Sequence, residues 1–207
     1  MFILALSRSL RINDCSVRAD AWYSRENRYT MEVFEKNLLI VGLGRIGKAV
    51  AKRAQAFDMH VMAYDGFVSR AAMAELGVEK VERLEDGLRK ADFVTLHVPL
   101  TPETQGMIST PQFQRMKNSA YIINMGRGPV LDEDALAVAL AQGEIAGAGL
   151  DVLNVEPPRK DHPLFQMDQV LFTPHIGGDT REAKLRTSER LSRTVLEALD
   201  GADTYNW

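Results

Sequence analysis

The sequence predicts a doubly wound α/β fold, one parallel sheet with helices on both faces. Three observations predict it. From Asn37 onward, apolar runs of strand length alternate with helical patterns. The helices lie between successive strands, the spacing that parallel pairing requires. A glycine-rich turn, Gly42-Leu43-Gly44-Arg45-Ile46-Gly47, joins the first of these strands to the first of these helices.

The elements follow in order. Residues 38–41, Leu-Leu-Ile-Val, read as a buried strand running into the glycine turn, and residues 48–57 as a helix. A second strand, 60–64, ends at Asp65. A helix over 69–76, a short strand over 78–81 and a helix over 84–90 come next. Residues 92–96 and 121–124 are strands. The helix over 132–142 has Asp132 as N-cap and Gly143 just past its end. A small-residue strand over 145–152, a last strand over 170–173 and a closing helix over 180–199 complete the pattern. Ahead of it, residues 1–36 read as an amphipathic helix and an arm. Ile3, Leu6 and Leu10 form an apolar face that packs on the core or on a partner, and residues 37–207 form the main domain.

Composition excludes several classes. With 45% hydrophobic and 26% charged residues the chain is ordinary for a globular protein. A net charge of −3 and the lack of a basic stripe argue against a nucleic-acid partner. The opening apolar run has no preceding positive region or cleavage site, and it is far shorter than the ~20 residues that span a bilayer. No membrane partner is expected. One cysteine, Cys15, cannot form an internal disulfide, which fits a cytoplasmic location. No His/Cys cluster has metal-ligand spacing, so no metal is expected.

In doubly wound sheets, ligands sit beyond the carboxyl ends of the strands. Gly42 to Gly47, Asp65, His97, Asn124 to Arg127, Asp151 and His175 all follow strand ends. The fingerprint has the strand-to-helix context of a dinucleotide site: Gly42 for the tight turn, Gly44 for approach of the pyrophosphate, Gly47 for helix packing. Asp65, ~20 residues on, suits the adenine ribose hydroxyls and repels a 2′-phosphate, which favours NAD. Arg70 is near enough to leave NADP in view. Arg127, flanked by glycines, suits a 2-oxo acid, because its planar fork binds carboxylate and polarises a carbonyl. Glu156 and His175 suggest a carboxylate–imidazole pair for proton transfer. Asp151 fits a nicotinamide carboxamide, and His97 a loop beside the cofactor ribose. The candidate cofactor contacts are Gly42, Gly44, Arg45, Ile46, Gly47, Asp65, His97, Pro99, Asn124, Met125, Gly126, Asp151, Gly177 and Gly178. The candidate catalytic residues are Arg127, Glu156 and His175.

These segments, with Leu96-His97-Val98-Pro99-Leu100-Thr101, Gly147-Ala148-Gly149-Leu150-Asp151 and Thr173-Pro174-His175-Ile176-Gly177-Gly178, resemble the cofactor domain of the D-isomer-specific 2-hydroxyacid dehydrogenases. Within that family they look most like 3-phosphoglycerate dehydrogenases, with hydroxypyruvate and glyoxylate reductases next. The family's arginine, glutamate and histidine match Arg127, Glu156 and His175. The resemblance implies a Rossmann-like NAD-binding domain, a small 2-hydroxy or 2-oxo acid substrate, and a homodimer through the N-terminal arm and Trp22. It also implies that the family's N-terminal substrate domain is absent here, with weak or no turnover by this chain. NAD-sensing corepressors share the triad, so a non-catalytic NAD(H)-binding module and an inactive truncated fragment remain open alternatives.

Overall fold

The computed structural model describes residues 1–22 and 30–201; residues 23–29, within the expected arm, lie outside the described residues. Among the described residues, seven strands form one sheet: β1 (Asn37–Val41), β2 (His60–Tyr64), β3 (Glu79–Lys80), β4 (Phe93–Leu96), β5 (Tyr121–Asn124), β6 (Gly147–Leu150) and β7 (Val170–Phe172). The helices are α1 (Phe2–Ser7), α2 (Leu10–Arg18), α3 (Arg45–Gln55), α4 (Arg70–Glu75), α5 (Leu84–Lys90), α6 (Thr110–Phe113), α7 (Glu133–Ala141) and α8 (Arg181–Leu199). The sheet order is β3-β2-β1-β4-β5-β6-β7 and every pair is parallel. The expected α/β doubly wound fold is present. Strand order reverses at β1, which has β2 on one side and β4 on the other.

A parallel sheet covered on both faces needs near-continuous apolar strands. The four residues Leu38 to Val41 are all fully buried. Successive side chains point to opposite faces, so each strand feeds two cores. Leu38, Ile40, Val61, Ala63 and Phe93 pack with Phe2 and Leu6 of α1, Ala51 and Ala54 of α3 and Met73 of α4. Leu39, Val41, Met62, Val94 and Leu96 pack with Leu88 of α5, Phe113 of α6 and Leu136 and Leu140 of α7.

The N-terminal segment differs from the single amphipathic helix expected. Ser9 takes φ +46°, in the left-handed region, and separates α1 from α2. Phe2 and Leu6 are buried, whereas Leu10 is 60% exposed. The reason lies in β6. Helix α1 packs on β5 and β6, and at Gly149 an added Cβ would stand 2.7 Å from Cγ of Phe2. The missing side chain makes room for the Phe2 ring, so Phe2 anchors the helix in place of Leu10. Leu10 instead borders a cavity of about 240 Å³ also lined by Leu6, Arg11, Tyr121, Asp168 and Leu171.

Element ends shift in readable ways. Helix α3 begins three residues before the expected start, because Gly44 is extended and already caps it. The strand expected over 145–152 narrows to Gly147–Leu150, and that over 78–81 to Glu79–Lys80. Asp132 caps α7 as expected, accepting from Ala135 N at 3.0 Å, and Gly143 has φ +68°. Helix α6 was not anticipated, although Ser109 and Gln112 form a capping box at its start.

The chain divides into two compact units, Met1–Phe172 and Thr173–Trp207. The second unit carries α8, capped by Thr180, whose hydroxyl accepts from Ala183 N. Among the described residues no helix is long and apolar enough to cross a membrane.

The contact between Phe2 and Gly149 is testable by a double-mutant cycle. Phe2→Ala should destabilise by about 3 kcal/mol, as for a buried aromatic, and Gly149→Val by about 1–3 kcal/mol through overpacking. The double variant should lose less than the sum in urea unfolding, because the valine methyls take space the ring leaves. Full additivity would show that the two residues are not in contact.

Candidate active site

Strand register places the site. Tyr64, Val41, Leu96, Asn124 and Leu150 stand opposite one another in one row across β2, β1, β4, β5 and β6. The residues that follow this row are Asp65, Gly42, His97, Met125 and Asp151. They leave the sheet at one carboxyl edge, on both sides of the β1/β4 switch point, where such sheets bind ligands.

Gly42 brings the two sides of that point into backbone contact. It has φ +93°, and an added Cβ would lie 2.9 Å from Val98 Cγ1 and 3.0 Å from the His97 carbonyl carbon. Its N–H donates to Tyr64 O at 3.0 Å, and the His97 N–H donates to Val41 O at 2.8 Å. A Cβ at Gly47 would collide with the Gly42 carbonyl oxygen, so only glycine lets α3 start this close to the turn. At Gly44 a Cβ would meet nothing within 4 Å. That opening adjoins the first turn of α3, at Arg45 and Ile46, which has no side-chain cap. Uncapped amides at a helix start, together with the helix dipole, attract anions. The arrangement fits the phosphates of a dinucleotide.

Asp65 has a structural task that its position in sequence did not reveal. Oδ2 accepts from Leu43 N at 2.7 Å, and Oδ1 accepts from Phe67 N at 2.8 Å and Val68 N at 3.1 Å. One carboxylate thus ties the glycine turn to the loop after β2. A carboxylate has about four acceptor sites, so capacity remains for a further donor. Arg70, the cation nearest in sequence, is paired with Glu82 at 2.6 Å.

His97 is held by Thr95, whose Oγ1 lies 3.0 Å from Nε2, and its Nδ1 is buried without a hydrogen-bond partner. Burial pushes its pKa down to about 4, which keeps the ring neutral. A buried orphan nitrogen costs free energy that a bound polar group can return. At the switch point, this orphan is a second observation that fits a cofactor. Farther along the same loop, the Pro99 carbonyl accepts from Thr104 Oγ1 at 2.7 Å.

Asn124 is almost fully buried and builds the turn that carries Arg127. Its Nδ2 donates to Arg127 O at 3.0 Å, and its Oδ1 accepts from Gly126 N at 3.1 Å. Met125 N donates to Leu96 O at 3.3 Å. Arg127 itself is exposed, with Nη1 donating to the Gly126 carbonyl at 2.8 Å. A Cβ on Gly128 would collide with the Leu153 carbonyl, so this turn packs against the loop that follows β6. That loop carries buried Asp151 and exposed Glu156, whose Oε1 accepts from Leu153 N at 3.0 Å. His175, Gly177 and Gly178 belong to the second unit. His175 is exposed, has φ +54°, and its N–H donates to Thr173 O at 3.0 Å.

Two supporting side chains, Glu133 and His162, carry no local signal in the sequence. Glu133, at the start of α7, accepts from Asn154 N at 2.7 Å and lies 3.1 Å from His162 Nε2. Leu164 N donates to His162 Nδ1 at 3.3 Å, so Nε2 carries the proton. The pair pins the Glu156 loop to α7. Its members are 29 residues apart, and no local spacing announces them.

Comparison with known proteins decides the family. Residues 1–177 match the D-isomer specific 2-hydroxyacid dehydrogenase, NAD binding domain. The chain belongs to that family. This 2-hydroxyacid dehydrogenase domain binds NAD. It is 43% identical over 199 residues to a D-3-phosphoglycerate dehydrogenase of Mycobacterium leprae, covering 96% of the chain but 37% of that relative. It is 41% identical to a glyoxylate reductase of Thermofilum pendens, covering 96% of the chain and 60% of that protein. Among solved structures, it superposes with a TM-score of 0.87 and 31% identity on the NAD-complexed D-isomer specific 2-hydroxyacid dehydrogenase of Lactobacillus delbrueckii ssp. bulgaricus, over 97% of the chain and 65% of that one.

Buried His97 makes stability depend on pH. Its pKa is 6.5 when unperturbed and about 4 in the fold. Between these values the unfolded chain binds more protons, so stability is full above about pH 6.5 and falls as pH drops towards 4. His97→Gln should flatten the denaturant midpoint across that range. An equally steep profile in the variant would assign the acid sensitivity elsewhere.

Proposed function

We propose that this chain is the cofactor-holding part of a NAD-dependent D-2-hydroxyacid dehydrogenase that interconverts a small D-2-hydroxy acid and its 2-oxo acid. The names of its relatives favour 3-phosphoglycerate or glyoxylate, and the resemblance of its motifs adds hydroxypyruvate. The observation that carries this reading is the register row, which sends the glycine fingerprint, Asp65 and the Arg127 turn out at one edge of the sheet. Bound NAD supplies hydride acceptance in one direction and, reduced, hydride donation in the other. The chain's residues supply the rest. The exposed Arg127 guanidinium binds the substrate carboxylate and polarises the adjacent carbonyl. His175 donates a proton to the carbonyl oxygen on reduction and takes it back on oxidation. Glu156 stabilises the imidazolium. The roles of His175 and Glu156 rest on their match to the family's motif.

The test pairs binding with turnover. NADH should bind the chain alone, read by cofactor fluorescence. Turnover of 3-phosphoglycerate and glyoxylate is then assayed on the chain alone and on the chain joined to the N-terminal part of the glyoxylate reductase relative. His175→Ala in the joined protein should lower turnover by roughly 10²–10⁴-fold and change NADH affinity less than about twofold. Full activity in that variant would remove the proton-transfer role.

We also propose a homodimer built on the N-terminal segment. Leu10, Val17 and Trp22 are each more than half exposed there, an apolar surface of the kind that two-fold assemblies bury. Sedimentation should give about twice the chain mass, and Leu10→Glu with Val17→Glu should give the monomer. A monomeric parent protein would refute this.

A further inference from the structure

We infer that Glu82 is a second determinant of cofactor choice, cancelling the two cations beside Asp65 and so excluding a 2′-phosphorylated dinucleotide. The inference deepens the proposed function and rests on the nucleotide site lying where Asp65 closes the glycine turn. The Asp65 carboxylate accepts from Val68 N, and the Val68 carbonyl in turn accepts from Lys80 Nζ at 2.9 Å. Lys80 stands opposite Ala63 in the sheet, two residues before Asp65, and its side chain is 15% exposed. Arg70 opens α4 at the far end of the same loop. Two positive charges therefore border the loop that wraps Asp65, the loop a 2′-phosphate on the adenine ribose would face.

Glu82 engages both of them. Its Oε1 lies 2.6 Å from Arg70 Nη2, and its Oε2 lies 4.0 Å from Lys80 Nζ. Stability does not account for this arrangement. The Arg70 and Glu82 side chains are 66% and 60% exposed, and exposed ion pairs of that kind contribute little. Their effect on a charged ligand is larger in kind, because a phosphate meets the summed field of the patch. With Glu82 present, two cations are matched by two carboxylates, Asp65 and Glu82. A neutral residue at 82 leaves two cations against one carboxylate, and Arg70 is free to offer its planar fork to phosphate. Asp65 acts by direct repulsion at the ribose. Glu82 acts through Arg70 and Lys80, as a specificity residue that touches neither ribose nor phosphate.

The test is fluorescence titration of NADH and NADPH against the parent chain, Glu82→Gln, and Glu82→Gln with Arg70→Gln. The same series in an Asp65→Asn background keeps NADPH affinity in a measurable range. Glu82→Gln should tighten NADPH by about 5- to 10-fold, the scale of removing one charge several ångströms away in water. NADH should change by less than about twofold. Arg70→Gln should cancel most of the gain, and raising the salt to about 0.5 M should shrink it. Equal shifts for both cofactors, no NADPH shift in either background, or a gain that survives Arg70→Gln at full size would overturn the role of Glu82 while leaving the NAD site intact. A parent chain that binds no NADH would overturn the proposed function, and this inference with it.

Discussion

The pairing of β1 with β4, in which Val41 stands opposite Leu96, is the contact on which the site depends. More than 50 residues of chain separate the two strands, including all of β2 and β3. Their junction brings the glycine turn against the His97 loop with no room for a side chain at Gly42. Two backbone bonds carry the ladder past the strand ends, Gly42 N to Tyr64 O and His97 N to Val41 O. The glycine turn is therefore fixed by the sheet, and does not rely on the loop's own stability.

A second pattern is the use of polar side chains to build loops. Asp65 holds three backbone amides. Asn124 closes the Arg127 turn, and Glu133 holds the loop of Glu156. A hydrogen bond to a charged group contributes roughly 1.5–3 kcal/mol net, enough to order a short loop against its entropy. The groups assigned to chemistry in the first unit, Arg127 and Glu156, stay exposed at the surfaces of the loops so ordered. Buried groups shape the edge and exposed ones stay open to solvent, a division common where rigid scaffolds carry reactive loops.

Position in sequence tells little about which of these tasks a residue performs. Asp65 was legible as a candidate ribose ligand because it follows the second strand ~20 residues after the fingerprint. Its bond to Leu43 was not, because it depends on β2 lying beside β1. Arg70 was visible as a cation near the ribose, but Glu82, which engages it, sits 12 residues away beyond β3. At the N-terminus, spacing alone favoured an apolar face of Ile3, Leu6 and Leu10. Packing selected Phe2 instead, because Gly149 leaves a space that a ring fills.

The sequence by itself determined the fold class, the order of the strands along the chain and the positions of the motifs. Those are local properties, written in apolar runs of strand length and in glycines where a turn admits nothing larger. Only the tertiary structure decided which strands are neighbours, and with them the row from Tyr64 to Leu150 that aligns the site. It also decided the pairs Glu82–Arg70 and Glu133–His162 and the break at Ser9. The physical reason is that a hydrogen bond or an ion pair forms between whichever groups the sheet brings within about 3 Å. Adjacency in a doubly wound sheet joins segments tens of residues apart, and no periodicity in the chain records it.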